Sequence, residues 1–207
     1  MQERIERAVD LIGRAASWLA LVIVVVMATN VVLRYLFSYG SVWAQELEWH
    51  LLAPLIMFGI PYALLKGDHV RVDVLFEKFK PVNQQRVEVV SQVLGIAISL
   101  LFLWLSFAYV QQSFVIGETS SDPGGLPYRW LLKSLLPLGF ALLALQSFAT
   151  LLGVFAKLRE QTNKVLAEAV AKDPVVKKVH ESYMAYKAKY DAWSKYSETP
   201  YHTKIQA

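Results

Sequence analysis

The chain has 207 residues, 55% hydrophobic and 18% charged, with a formal net charge of +4 and no cysteine. That apolar excess excludes an ordinary soluble domain, and the absence of cysteine excludes a disulfide scaffold, thiol catalysis and cysteine-ligated metals. The positive charge does not mark a nucleic-acid binder, because the basic residues stand at the edges of apolar segments, where membrane topology accounts for them.

Residues 3 to 14 carry Ile5, Ala8, Val9 and Ile12 on one helical stripe and charges elsewhere. That spacing predicts an amphipathic helix lying in a membrane interface, with Gly13 offering a bend into the first apolar run. This run, Ala15 to Leu33, is too long for a cleaved secretory signal and reads as an anchor. The second, Leu51 to Leu65, carries Pro54 and Pro61 with Gly59 between them, which predicts a bent helix packed inside protein. A span needs roughly 20 residues. The second reaches that only if its first turns, with Glu46, Glu48 and His50, lie in the interface or against a partner. The third and fourth runs, Val89 to Val110 and Trp130 to Ala156, are long enough unaided. Between them "GETSSDPGGLP" is made of turn residues, and Tyr128 and Trp130 look like interface anchors.

After Ala156, Asp173-Pro174 has the form of a helix start, cap then first-turn proline. Val176, Val179, Tyr183, Tyr186, Tyr190 and Trp193 come next at spacings 3, 4, 3, 4, 3, a heptad seam. Aromatic seams suit interfaces, so Tyr183, Tyr186, Tyr190 and Trp193 are candidates for a tail contact; the alternative is cover against the protein's own surface. Arg4, Arg7 and Arg14 precede the first span, Lys66, Arg71, Lys78, Lys80 and Arg86 lie between the second and third, and Lys157, Arg159 and Lys164 come after the fourth. The positive-inside rule then puts both termini and the central link in the cytoplasm. The expected fold is an all-α integral membrane protein: four transmembrane helices, an N-terminal interfacial amphipathic helix and a helical cytoplasmic tail. The expected division is a transmembrane domain over residues 1–157 and a tail over 158–207.

The spans contain almost no charge, so a route for ions or polar solutes through this chain alone is not expected. Glu46 and His50 share a helix face, and an ion pair between Arg34 and Glu46 at the outer rim would pin the first hairpin. His50 and His69 raise the possibility of a haem-bearing electron-transfer anchor. They stand 19 positions apart, at opposite ends of one helix and about 28 Å from each other, so both cannot hold one haem. In "KGDHVRVDVL", Gly67 can end a helix and Asp73 can cap a short one. No nucleophile or pocket accompanies His69, so a reorientation turn is expected, with no catalytic role, metal or cofactor.

The order "NVVLRYLF", "W-A-Q-E-L" and "FGIPYALLKGDHVRVDVL" resembles the small membrane subunit of TRAP (tripartite ATP-independent periplasmic) transporters, the DctQ-type family. The matching positions are Asn30, Arg34, Phe37, Trp43, Glu46, Leu47, Gly59, Gly67, His69, Val70, Val72 and Asp73, within residues 10 to 157. Where the family has an adjacent glutamate pair, the first member here is Gln45. The resemblance implies a non-catalytic permease subunit in the bacterial inner membrane. It implies that such a subunit scaffolds a large multi-span partner, with a periplasmic binding protein delivering an organic acid and sodium driving uptake. Arg34, Glu46, Gly59, His69 and Asp73 become its structural or subunit-interface candidates. Membrane lipids are its surroundings, and nucleic acid has no part.

Overall fold

The structure is a computed structural model and describes residues 1–68, 78–79 and 81–197. Its elements are α1 (Gln2–Phe37), α2 (Val42–Lys66), α3 (Pro81–Val115), a short α4 (Arg129–Lys133), α5 (Leu135–Lys172) and α6 (Pro174–Ser197). The chain forms two compact units, Met1–Phe155 and Ala156–Ala207. Among the described residues four helical stretches are long and apolar enough to cross a membrane: Gln2–Phe37, Val42–Lys66, Asn83–Val115 and Arg129–Lys172.

The amphipathic segment over residues 3–14 is helical, and no break separates it from the first span. The 36 residues of α1 are continuous, about 54 Å at 1.5 Å per residue, against a hydrocarbon layer of roughly 30 Å. Its first turns therefore stand beyond that layer. Gly13 is a contact rather than a hinge: a Cβ there would come within 2.5 Å of the Tyr62 side chain, including its Cβ. The missing side chain is what lets α1 and α2 meet. Gly139 does the same between α5 and α2, where a Cβ would come 2.9 Å from the Met57 Cβ and 3.0 Å from its carbonyl oxygen. Close backbone approach at small residues is how helices associate without a hydrophobic drive between them.

Helix α2 runs through both Pro54 and Pro61 and ends at Gly67, whose φ of 77° is left-handed. The amides of Gly67 and Asp68 return to the carbonyls of Leu64 and Ala63, at 3.2 and 3.0 Å. This closes the helix with the glycine-dependent motif that the sequence predicts. The α1–α2 hairpin is tied near both ends. Asn30 Nδ2 donates to Glu48 Oε1 at 2.7 Å, and Lys66 Nζ to Asp10 Oδ1 at 2.6 Å.

Polar side chains are prominent among the buried ones. Gln92, Ser99, Ser106 and Ser113 recur every seven residues along α3, and all are buried, as are Gln146 and Ser147 on α5. Gly95 sits against Ser147, and Phe102 stacks on Phe140 with ring centroids 5.2 Å apart. Meanwhile Leu, Val, Phe and Trp side chains of α1 and α3 are exposed, as expected where the solvent is hydrocarbon.

In the second unit, Asp173 caps α6 as its sequence predicts: the Val175 amide donates to Asp173 Oδ1 at 2.8 Å.

If Gly13 is a helix-crossing point, Gly13→Val should lower stability by about 1 to 3 kcal/mol through overpacking. Thermal unfolding in detergent measures this. Truncating the obstacle in Gly13→Val/Tyr62→Ala should recover part of the loss, and a double variant no better than the sum of its parts would rule the crossing out.

Candidate functional site

The most built polar site lies where α2 begins. Glu46 is buried one turn into that helix. Its carboxylate accepts hydrogen bonds from the Ser120 hydroxyl, from the Leu126 amide at 2.5 Å and from Arg129 Nη2 at 3.2 Å. A buried carboxylate needs such donors, because water no longer supplies them. Arg129 is shared: the same nitrogen reaches Ser120 Oγ at 3.3 Å, and the guanidinium stands 5.3 Å from the Trp49 ring centre. Glu46 and Arg129 keep only 6% and 24% of their side-chain surface, so this pair is not a loose surface contact.

The connection between α3 and α4 is folded to serve this carboxylate. Gly117, with φ 61°, turns the chain out of α3. The Ser120 amide bonds to the Leu126 carbonyl at 3.2 Å, and the Gly125 amide to the Asp122 carbonyl at 3.0 Å. A Cβ on Gly125 would lie 2.4 Å from Ser120 Oγ and 2.7 Å from Glu46 Oε2, so only glycine lets the loop close on the acid. Tyr128 adopts φ 62°, which turns the Arg129 amide back to the Glu118 carbonyl at 3.1 Å. A second ion pair then joins Glu118 to Lys133, whose ammonium lies 4.0 Å from the Tyr109 ring centre. Lys133 beside Glu118 holds that carboxyl below the ordinary glutamate range. The first turns of α2 thus meet this chain's own loop at Glu46, where the sequence offered the interface or a partner.

The ion pair expected between Arg34 and Glu46 does not form, because Glu46 faces the other way. Residues two apart on a helix point about 200° apart. Glu46 meets the loop, while Glu48 meets α1 through Asn30. The hairpin is pinned, but by Asn30 and Glu48. Arg34 is exposed at the end of α1 and joins no ion pair among the described residues. It lines an open groove of about 580 Å³ with Asn30, Trp43, Gln45 and Glu48. A side chain at Gly59 would meet nothing within 4 Å. His69 and Asp73 lie outside the described residues. His50 Nδ1 donates to the Glu46 carbonyl at 2.7 Å, and its ring lies against Trp49. Glu46, Glu48 and His50 therefore do not converge on a metal, and no metal-holding group occurs among the described residues. The tail aromatics Tyr183, Tyr186, Tyr190 and Trp193 are all exposed.

Sequence reasoning missed Arg129, Ser120 and Gly125. A signal existed: Arg129 and Lys133 are the only cations between Arg86 and Lys157, and both come after a loop that must return to the membrane.

A model of the family described as "Tripartite ATP-independent periplasmic transporters, DctQ component" matches residues 23–157. The chain is 24% identical over 148 residues to the isethionate TRAP transporter permease protein DctMQ of Oleidesulfovibrio alaskensis. That match covers 67% of this chain and 22% of the relative, so the chain spans about a fifth of that protein's length. It is 30% identical over 115 residues to a putative TRAP transporter small permease protein of Haemophilus influenzae, covering 54% of this chain and 70% of the relative.

Two outcomes are expected of this clamp. In a double-mutant cycle on thermal stability, Glu46→Ala and Arg129→Ala should be strongly non-additive, while Glu46→Ala and Arg34→Ala should add. Coupling to Arg34 in place of Arg129 would contradict the geometry. Acid should also loosen the loop. The depressed Glu118 carboxyl adds stability above the ordinary glutamate value of 4.5, and that stability is lost as pH falls below 4.5 through the folded-state value. Hydrogen exchange of the amides at residues 117–129 should rise over that window, and Glu118→Gln should flatten the dependence.

Proposed function

Because this chain belongs to the DctQ-component family of TRAP transporters, transport subunits rather than enzymes, we propose that it is the small permease subunit that scaffolds a large multi-span membrane subunit. In this reading the partner moves an organic acid into the cell with sodium, and a periplasmic binding protein delivers it. The membrane is the bacterial inner membrane. The termini are cytoplasmic, residues 1–157 are the transmembrane domain, and residues 158–207 are a cytoplasmic tail.

One observation carries the scaffold role. From Ala15 to Leu33, Leu51 to Leu65, Val89 to Val110 and Ser134 to Ala156 there is no Asp, Glu, Lys, Arg or His. A pathway for a charged solute or its coupling ion needs such groups, or broken helices around a midplane cavity. Polar side chains in these segments are uncharged Ser, Thr, Asn and Gln and aromatic Tyr and Trp. The most apolar windows of the four spans are 6%, 6%, 11% and 33% buried, so most of the apolar surface is free for lipid or a large partner. In α1 the fully buried residues are Val9, Gly13 and Ala16, so no side chain between Ser17 and Leu33 is fully enclosed. The name of one relative, an isethionate transporter permease, supports an organic anion as cargo. The basic residues that border the central link and both termini support their cytoplasmic side.

Purified and reconstituted alone, this chain should move neither sodium nor organic anion, whereas vesicles that also hold the large subunit and the binding protein should accumulate solute only under a sodium gradient. Uptake by this subunit alone would end the scaffold reading; uptake by the full system without sodium would end the coupling.

A further inference from the structure

Helix α6 has a face that nothing in its own unit covers. Val175, Val179, Tyr183, Tyr186, Tyr190 and Trp193 are each at least half exposed. At 100° per residue they fall within an arc of about 100°. The side of α6 that meets α5 borders that arc, with Val176 about 20° and His180 about 60° beyond Tyr183. Val176 and His180 are half-buried there, and His180 lines a groove with Leu166 and Val170 at the end of α5. Tyr190 and Trp193 lie side by side on the free stripe, ring centroids 6.2 Å apart.

We propose that this stripe docks α6 on an anionic phospholipid surface of the membrane to which the chain is already anchored. Three observations favour lipid over protein. The first is composition: the stripe holds Tyr and Trp where a self-associating helix would hold leucine, and these side chains seat an apolar body in the acyl boundary and a polar tip among headgroups. The second is charge. Between Pro174 and Ser197 five lysines face one glutamate and one aspartate, a net of +3. Lys187 flanks one edge of the stripe and Lys189 the other, each within about 40° of it, with Lys178 beside Lys189. Glu181 and Asp191 fall on the remaining face. Lysines that border an aromatic stripe snorkel to phosphates while the ring side sinks. Two such stripes paired face to face would instead bring the flanking lysines of both copies together. The third is tethering. Helix α6 begins after the single residue Asp173 at the end of α5, and α5 contains the fourth apolar span. A surface affinity too weak to recruit a free helix suffices for one held at high effective concentration. The inference does not depend on the transport role.

The test uses the full chain in lipid nanodiscs. Since the protein has no cysteine, a single fluorophore can be placed by Tyr186→Cys or Val179→Cys on the stripe, and by Glu181→Cys on the opposite face. Lipids with brominated acyl chains quench only a label that enters the acyl boundary. In bilayers holding about 30% phosphatidylglycerol both stripe labels should be quenched and the Glu181→Cys label should not. Quenching should fall in pure phosphatidylcholine. Each lysine near an anionic surface is worth about fivefold, so Lys178→Glu, Lys187→Glu and Lys189→Glu together should reduce the docked-to-free ratio on the order of 100-fold. Stripe labels as open to aqueous quenchers as the Glu181→Cys label would overturn the proposal. So would stripe labels shielded from water yet untouched by brominated lipid, because protein would then be the cover.

Discussion

A carboxylate that has left water sets the terms for one end of this protein. Glu46 is at the start of a span, where α2 enters an apolar layer, and an ionised group there must be given donors by the chain itself. The loop after α3 supplies a hydroxyl, an amide and a guanidinium to one carboxylate. Several local features arise from that need. Gly125 has no side chain because the acid occupies its space. Tyr128 takes a left-handed backbone conformation so that Arg129 can reach back. Trp49, one turn along α2 from Glu46, offers its ring to the same guanidinium.

The spacing of polar ties along α2 matches the layer it crosses. Glu46 and Lys66 stand 20 positions apart, about 30 Å, which is the thickness of the hydrocarbon core. On α1, Asp10 and Asn30 are also 20 apart, and they meet Lys66 and Glu48. The hairpin is therefore fastened at two levels one bilayer apart, with apolar side chains between. Charge is used where water or headgroups lower its cost. At greater depth α3 and α5 carry buried serine and glutamine; Ser106 Oγ donates to the Leu103 carbonyl at 2.8 Å and Thr150 Oγ1 to the Gln146 carbonyl at 3.0 Å, while Ser99 Oγ and Gln146 Oε1 have no partner among the described residues. The seven-residue recurrence of Gln92, Ser99, Ser106 and Ser113 is the period of a seam that faces one partner helix along its length.

Period and punctuation made much of this fold legible from residue types. The four apolar runs, the glycine that stops α2 and the Asp-Pro that starts α6 are local signals, because each depends on neighbours within a few positions. The clamp was half legible. That Glu46 needed a partner followed from its place in the sequence, but the partner was 83 positions away. Arg34, nearer in sequence and at the same rim, was the wrong choice because helix rotation points Glu48, not Glu46, toward α1. Gly13 was misjudged for a related reason: a glycine inside a helical pattern signals a bend or a contact equally well, and only Tyr62 on another helix decides between them. The α3 seam was present as a period of seven but hidden among stronger apolar signals, since a hydrophobicity reading attends to what faces lipid.

These constraints bear on what such a subunit can do. A helix that changes its exposure during a transport cycle must carry groups that tolerate both environments, or a loop that releases its contacts. Among the described residues the ion pairs stand toward the ends of the spans, and the segments 15–33, 51–65, 89–110 and 134–156 hold no Asp, Glu, Lys, Arg or His. A proton therefore finds no carboxylate or imidazole at depth whose charge state could be coupled to movement. The loop at the start of α2 is closed on a buried ion pair, whose rupture would leave an uncompensated charge. A body built this way resists rearrangement, and its large apolar flanks are its main remaining resource for interaction. That is the physical argument behind the proposal that it forms the stationary side of a transporter.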